Sequence, residues 1–454
     1  TLTVNLTGAA NLLTTCTYDI VYEYDSTSNV YGKSPTTKNG NKEITLQVSN
    51  VNGTNNFANE KNFDFDSSWS GLKRTLVSGA TISSNGTLTT QNISITGKYY
   101  NLTIPQTSIE GKAFTGKIYV TNHSCSTSEI PPAYITLLNK YGGKDSITEL
   151  PDSAFESVTT ASDKGMYKKA DDLGTSYYYR GAVNNNWVKF GKDSSGKDIY
   201  WRIIRINGDG SIRMIYTGTT DPKNESSVTG SNGVYMTGTG TQIGTSVFNS
   251  SYNNPSYVGY MFTEGQQHGN GTSSDIKNTL ENWYAGTTLK DNPLVSQDQI
   301  FCNDRSASST QTATGTNYDY GANGRLTLTT KSPQLICPTE SDKFTSKESS
   351  IGNKALTYPV GLITADEVAM AGGVYGSSNT NRSYYLYTNQ SYWSGSPYNF
   401  FSYNSNAYGF SVNSSGSLTY NSVYYTTGAR PVVSLSSKAK LLGNGTYSKP
   451  YTVS

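Results

Sequence analysis

Histidine is almost missing from this chain: His123 and His268 are the only two in 454 residues. That leaves little material for histidine acid–base chemistry or a multi-histidine metal centre. Charge is also sparse. Asp, Glu, Lys and Arg make up 15% of the sequence and nearly cancel, to a formal net charge of +2. Neither a nucleic-acid-binding surface nor an acidic tail is expected from such a balance. No apolar run approaches the ~20 residues of a membrane-spanning helix, so no membrane span is expected in the chain. Apolar residues are only 34% of the total, a level compatible with disorder, yet aromatics reach 12% with 36 tyrosines. Disordered chains are poor in aromatics. The composition reads as an ordered, β-rich protein with a polar surface.

The four cysteines, Cys16, Cys125, Cys302 and Cys337, include no CxxC pair, so a zinc ribbon or a thioredoxin-type site has no support. Four cysteines allow three pairings. Cys16–Cys125 with Cys302–Cys337 is favoured, because each bridge then stays within one expected domain. A sparse, even set of this kind suits an exported protein. The chain opens at Thr1 rather than Met and shows no signal peptide, so a processed or trimmed N-terminus is expected.

Residues 1–128 read as an antiparallel β-sandwich. Leu2, Val4 and Leu6 alternate with polar residues, as do Ile44, Leu46 and Val48, Ile93 with Ile95, and Ile118 with Val120. This is the period of a half-buried strand, and signals such as Ser84-Asn85-Gly86 mark turns between strands. Residues 129–176 are expected to be a linker and surface-wrapping segment. Pro131 and Pro132 interrupt regular structure there, and a short helix is expected over Ala133–Tyr141. Residues 177–454 are expected to form an α+β domain with about two short helices. Its strongest hairpin signal is Trp201–Tyr216 (WRIIRINGDGSIRMIY), two apolar strands around a turn rich in residues that tolerate positive φ. Asp275–Tyr284 has helical spacing. Thr364-Ala365-Asp366-Glu367 is a capping box, with Gly372 as the stop.

The most unusual segment is Tyr398–Thr427. Of its 30 residues, 24 are Tyr, Asn, Ser, Phe or Thr, and none is charged, proline or histidine. Without titratable groups of acid–base use it makes a poor catalytic site. Its composition suits recognition: tyrosine gives large contact area at low entropic cost, and serine and asparagine give adaptable hydrogen bonds. Tyr, Ser, Phe and Thr all arise from an Asn codon when its adenines change. The bland alternative is a polar β-surface in a chain rich in these residues throughout.

The flanks of that window are Tyr392–Pro397 (YWSGSP) and Gly428–Leu435 (GARPVVSL). Together with WRIIRINGDGSIRMIY, Gly361–Val368 (GLITADEV) and Phe301–Arg305 (FCNDR), they make the chain resemble a family of gut-bacterial (Firmicutes-type) secreted surface proteins. The C-terminal part of that family is similar to the variable proteins of diversity-generating retroelements. Over roughly residues 177–454 the resemblance implies a C-type-lectin-like fold, related in shape to formylglycine-generating enzymes. It implies a fixed scaffold that displays a variable ligand-binding face. The variable positions fall on Asn399, Phe401, Tyr403, Asn404, Asn406, Tyr408, Asn413, Tyr420, Asn421, Tyr424 and Tyr425. The implied partner is a protein or glycan ligand, and the implied location is a bacterial cell surface or surface filament. The chain departs from the pattern in one respect, since 27 residues follow the window. The N-terminal part resembles, less specifically, β-sandwich fibre subunits of the camelysin and biofilm-matrix type. That implies a second function, as a filament or pilus subunit assembled by donating the Thr1–Thr7 strand to a neighbour. The alternative for Thr1–Thr7 is an ordinary edge strand of its own sandwich.

Other residues favour structural readings. Asn207-Gly208-Asp209-Gly210 lacks the remaining ligands of a calcium loop and reads as a hairpin turn. Asp171-Asp172, and Asp304 beside Asn303, are the candidates for calcium; no cofactor or metal is otherwise expected. Trp201, Trp283 and Trp393 are expected in the core, and Arg430 in a structural hydrogen bond. A catalytic reading requires Cys302 and Cys337 to be a reactive pair, as in the formylglycine-generating relatives. A structural disulfide is the simpler account, and no catalytic residue is expected.

Overall fold

The computed structural model describes residues 1–8, 12–25, 43–63, 69–84, 88–101, 110–111, 115–223, 233–308, 318–376 and 378–454. Asn85 and Gly86 of the expected turn lie outside them. The chain is β-rich and divides into two units, Thr1–Ile130 and Pro131–Ser454.

The described residues of the first unit form two four-stranded antiparallel sheets. One has the order β1 (Leu2–Thr7), β7 (Leu88–Tyr99), β3 (Ile44–Ser49), β5 (Lys61–Asn62). The other has the order β4 (Thr54–Asn55), β6 (Lys73–Ser84), β2 (Leu12–Tyr24), β8 (Gly116–Glu129). The period of two in the sequence is what separates core from solvent. Tyr18, Ile20, Tyr22 and Tyr24 of β2 point into one apolar cluster with Leu46 and Val48 of β3, Leu76 of β6 and Ile93 of β7. Cys16 and Cys125 stand directly opposite each other on β2 and β8 and are bonded. In β1, Leu2, Val4 and Leu6 are half-buried against the same cluster while Thr3, Asn5 and Thr7 face out. All six residues pair with β7. The alternation of Thr1–Thr7 is therefore satisfied within its own chain, at a sheet edge.

The second unit holds two larger sheets around one core. The expected linker over 129–176 is not one: from Pro131 it belongs to this unit. Its helix α1 (Ala133–Asn139) buries Ala133, Leu137 and Leu138. Its strand β9 (Lys164–Asp171) pairs along its whole length with β10 (Gly174–Gly181). β10 in turn meets β12 (Asp198–Ile206), which joins β11 (Trp187–Lys192), β13 (Ile212–Gly218) and, beyond β13, a strand at Val432–Leu435. The expected hairpin is present as β12–β13. Asn207 and Ser211 close its turn, and Gly210 sits at φ 83°. Three further α-helices follow among the described residues. Asp275–Ala285 (α2) is capped by Ser274 and buries Ile276, Leu280 and Tyr284. Gly321–Leu326 (α3) was not expected, because Gly-Ala-Asn-Gly reads as loop. Ala365–Ala371 (α4) has the full Thr364–Glu367 capping box and ends at Gly372, φ 127°.

The second sheet is centred on a long strand at Tyr392–Phe401. It pairs with Asn406–Val412, which pairs with Leu418–Ser422. Trp201 and Trp393 are buried, and Trp283 is half-buried edge-on to Trp201 and Tyr216. Arg430 is buried and donates from Nε and Nη2 to the Tyr216 carbonyl, at 3.1 and 3.0 Å. Cys302 and Cys337 form the second disulfide. Among the described residues no helix is long and apolar enough to cross a membrane.

With all four cysteines bridged, thiol labelling of the denatured, unreduced chain should find no free thiol; a labelled cysteine contradicts the pairing. Replacing Cys302 and Cys337 together by serine should lower unfolding stability by about 2–4 kcal/mol, measured in denaturant.

Candidate functional site

The Tyr398–Thr427 window folds into the end of the second sheet. Register decides which side chains it shows. Asn399 pairs with Tyr408, Phe401 with Asn406, Phe410 with Tyr420 and Tyr408 with Ser422. Since side chains alternate across a strand, these residues share one face. Asn421 pairs with Gly409 and lies on the other.

An aromatic chain runs along the shared face from core to solvent, and Tyr398 joins it at the register shift between Pro397 and Asn399. Tyr375 and Tyr398 stack at 5.9 Å and join hydroxyls at 2.8 Å. Tyr420 stacks flat on Tyr398, centroids 4.2 Å apart and 7° between planes. Tyr408 meets Tyr420 edge-on at 5.5 Å, Phe401 meets Tyr408 at 5.4 Å, and Tyr403 lies 5.5 Å beyond Phe401. Tyr403 tips the hairpin at 79% exposure. Beside this chain, Tyr252 packs tilted against Tyr424 at 4.6 Å, and Tyr424 meets Tyr425 at 4.6 Å. The Ala407 amide donates to the Tyr252 carbonyl, which ties the two groups together.

Of the seven large apolar side chains that residues 131–454 leave exposed among the described residues, five are Tyr252, Tyr403, Tyr420, Tyr424 and Tyr425. Exposed aromatic surface is therefore concentrated at this one place, not scattered, which is the pattern of an interaction site. Burial raises Tyr398 and Tyr375, and the hydrogen bond with Tyr425 raises Tyr424.

The eleven expected positions divide by this geometry. Tyr403, Asn404, Tyr420, Tyr424 and Tyr425 are exposed, and Phe401 and Tyr408 are half-buried in the aromatic chain. Asn399 and Asn406 are corrections. Both are buried, Asn399 opposite Tyr408 and Asn406 opposite Phe401. Asn406 accepts from Ser422 Oγ and donates to Tyr408 Oη, so it positions the ring above it. Asn413 is a turn residue: its Oδ1 accepts from the Ser415 amide and hydroxyl and from the Ser417 amide. Asn421 donates to Ser411 Oγ at 3.1 Å, on the opposite face. The expectation missed Tyr252, although Ser250-Ser251-Tyr252-Asn253-Asn254 has the window's own composition.

The main cluster of ionisable groups is elsewhere and is internally committed. Arg205 contacts Asp171 at 2.7 Å and Glu367 at 2.9 Å, and Arg213 lies 2.7 Å from Glu367. Arg325 contacts Asp304 and Asp366, each at 2.9 Å. The cavity they line measures about 30 Å³, room for a water molecule or two and not for a substrate. The carboxylates considered for calcium are held by cations and amides. Asp171 takes Arg205 and the Leu173 and Gly208 amides, Asp172 takes Lys343 and the Cys337 amide, and Asp304 takes Arg325. Among the described residues no three His, Cys, Asp or Glu side chains gather where they could hold a metal ion. His268 Nδ1 lies 3.0 Å from Asp342, a carboxylate that also holds buried Arg305.

Burial alone raises the Glu367 carboxyl, but Arg213, Arg205 and the Thr364 amide outweigh it and hold it below its ordinary value. A depressed carboxylate contributes stability above the unfolded value of ~4.3, and that stability is lost as pH falls through the folded value. Stability should therefore drop below about pH 4. Glu367→Gln should cost about 3–5 kcal/mol near neutrality, since it leaves two buried arginines underpaired, and should weaken the acid dependence. Denaturant melts at several pH values check both.

No protein-family model matches the chain, and no curated protein or solved structure matches it either.

Proposed function

We propose that this is a non-catalytic extracellular binding protein that engages a protein or glycan through the tyrosine surface of its second unit. The observation that carries the reading is the clustering of Tyr252, Tyr403, Tyr420, Tyr424 and Tyr425 on one uncharged face. The rings are already packed on one another, so little side-chain freedom remains to be lost on binding. The two disulfides support that location, since such bonds persist in oxidising surroundings. In this reading the first unit is a β-sandwich for anchoring or assembly, and the second is a C-type-lectin-like display domain. Two sheets with short helices between them agree with that architecture.

A second reading, a filament subunit assembled by strand addition, draws on one feature. Among the described residues β1 is an edge strand paired with β7 alone, so a neighbour's strand is able to replace it. Electron microscopy of the purified protein separates the two, because filaments require the subunit contact and a monomeric receptor does not.

The binding reading predicts that Tyr403→Ala, Tyr424→Ala and Tyr425→Ala together abolish capture of a ligand identified on glycan and protein arrays. The variant should stay folded, losing about 0.5–1.5 kcal/mol for each aromatic pair removed. Loss of fold in this triple variant, or undiminished binding, refutes the assignment.

A further inference from the structure

We infer that a pocket beside the tyrosine surface is a subsite for one neutral sugar ring, a reading that rests on the proposed binding function and narrows its ligand to a glycan. The pocket has a volume of about 220 Å³, below the 300–1,000 Å³ of sites for drug-sized molecules and suited to a single ring. Tyr318, Tyr320 and Pro255 give it ring surfaces. Tyr318 and Tyr320 pack at 4.8 Å, and the Tyr320 hydroxyl donates to the Pro255 carbonyl at 2.6 Å, so this part is fixed before any ligand arrives. Around the rings stand the amides of Asn254, Gln266 and Gln267. Gln266 sits on a tight turn closed by its own amide to the Thr263 carbonyl, with Gly265 at φ 74°. Gln267 is held by a hydrogen bond from Nε2 to the Arg305 carbonyl at 2.6 Å.

None of the described residues lining the pocket is charged, and burial raises the Tyr318 phenol, which stays protonated. A charged ligand would lose its hydration here with no counter-charge in return. A purely apolar ring, such as an aromatic side chain, would give the Gln266 amide in the lining no partner. A neutral pyranose has both an apolar ring face and a hydroxyl edge, so it matches rings and amides together. The pocket also adjoins the larger surface. Tyr252 lies two residues before Asn254, and Tyr318 pairs with Phe400, next to Phe401. One sugar in the pocket would direct the rest of a glycan across the exposed tyrosines.

The test uses the full chain and ligand-observed saturation-transfer NMR. The probes are methyl glycosides of glucose, galactose, mannose and N-acetylglucosamine, with methyl glucuronate as the charged control. At least one neutral glycoside should bind with a Kd of order millimolar, the scale for about a dozen heavy atoms, and the glucuronate should not. Gln266→Ala and Tyr318→Leu should each weaken that binding at least tenfold, while the Tyr403, Tyr424 and Tyr425 alanine variant leaves it unchanged. Absence of signal from all four neutral glycosides overturns the inference, and so does a signal indifferent to Gln266→Ala and Tyr318→Leu. If the pocket is silent while an array protein is lost with the tyrosines, only the glycan subsite fails. If the pocket binds its sugar but the tyrosines do not affect a longer glycan, it is the larger surface that fails.

Discussion

One buried carboxylate, Glu367, joins the parts of the second unit. Its Oε2 closes the capping box on the Thr364 amide, and its Oε1 faces Arg205 of β12 and Arg213 of β13. Helix α4 is thereby fixed to the central hairpin of one sheet. The same helix start is fixed to the other sheet, because Ser396 Oγ accepts from the Ala365 amide and the Gly395 amide donates to the Ile363 carbonyl. Asp366, the next residue back, pairs with Arg325 of α3. An ionic cluster of this kind is not a cheap way to gain stability, since two or more charges must first be desolvated. What it supplies is one geometry, in which Arg205, Arg213 and Arg325 are each held by buried carboxylates.

The display face is the outer end of that construction. Its rings pass in contact from Tyr375 and Tyr398, which are packed into the sheet, through Tyr420 and Tyr408 to Phe401 and Tyr403. Each aromatic pair contributes about 0.5–1.5 kcal/mol beyond its buried area. The asparagines work beneath them. Asn404 and Asn406 both donate to the Tyr408 hydroxyl, and Asn413 closes the turn that carries the next strand. Position and contact are thus divided between amides and rings.

Much of this was readable from residues alone, and the failures have physical causes. The Trp201–Tyr216 hairpin, the Thr364 capping box and both disulfides rest on local chemistry or on short counts, which a sequence displays directly. β9 was lost in a presumed linker because Lys164–Asp171 is too charged to show a period of two; its partner β10 supplies the order instead. Helix α3 carries two glycines and has no apolar stripe. Within the window, composition identified the face but not its inner side. Asn399 and Asn406 lie in the paired strands and Asn404 in the turn between them, and which strand residues face inward depends on register with the partner. Tyr252 was missed because it is brought in from 150 residues away by a backbone hydrogen bond.

The most direct measurement is the sequence of this gene in many cells of the population that carries it. The account predicts substitutions, at adenine positions of the codons, concentrated on Phe401, Tyr403, Asn404, Tyr420, Tyr424 and Tyr425. Tyr398, Asn399, Phe410 and Asn413 should hold, since the fold depends on them. An invariant window, or variation spread equally over the buried positions, would contradict a display surface carried on a fixed scaffold.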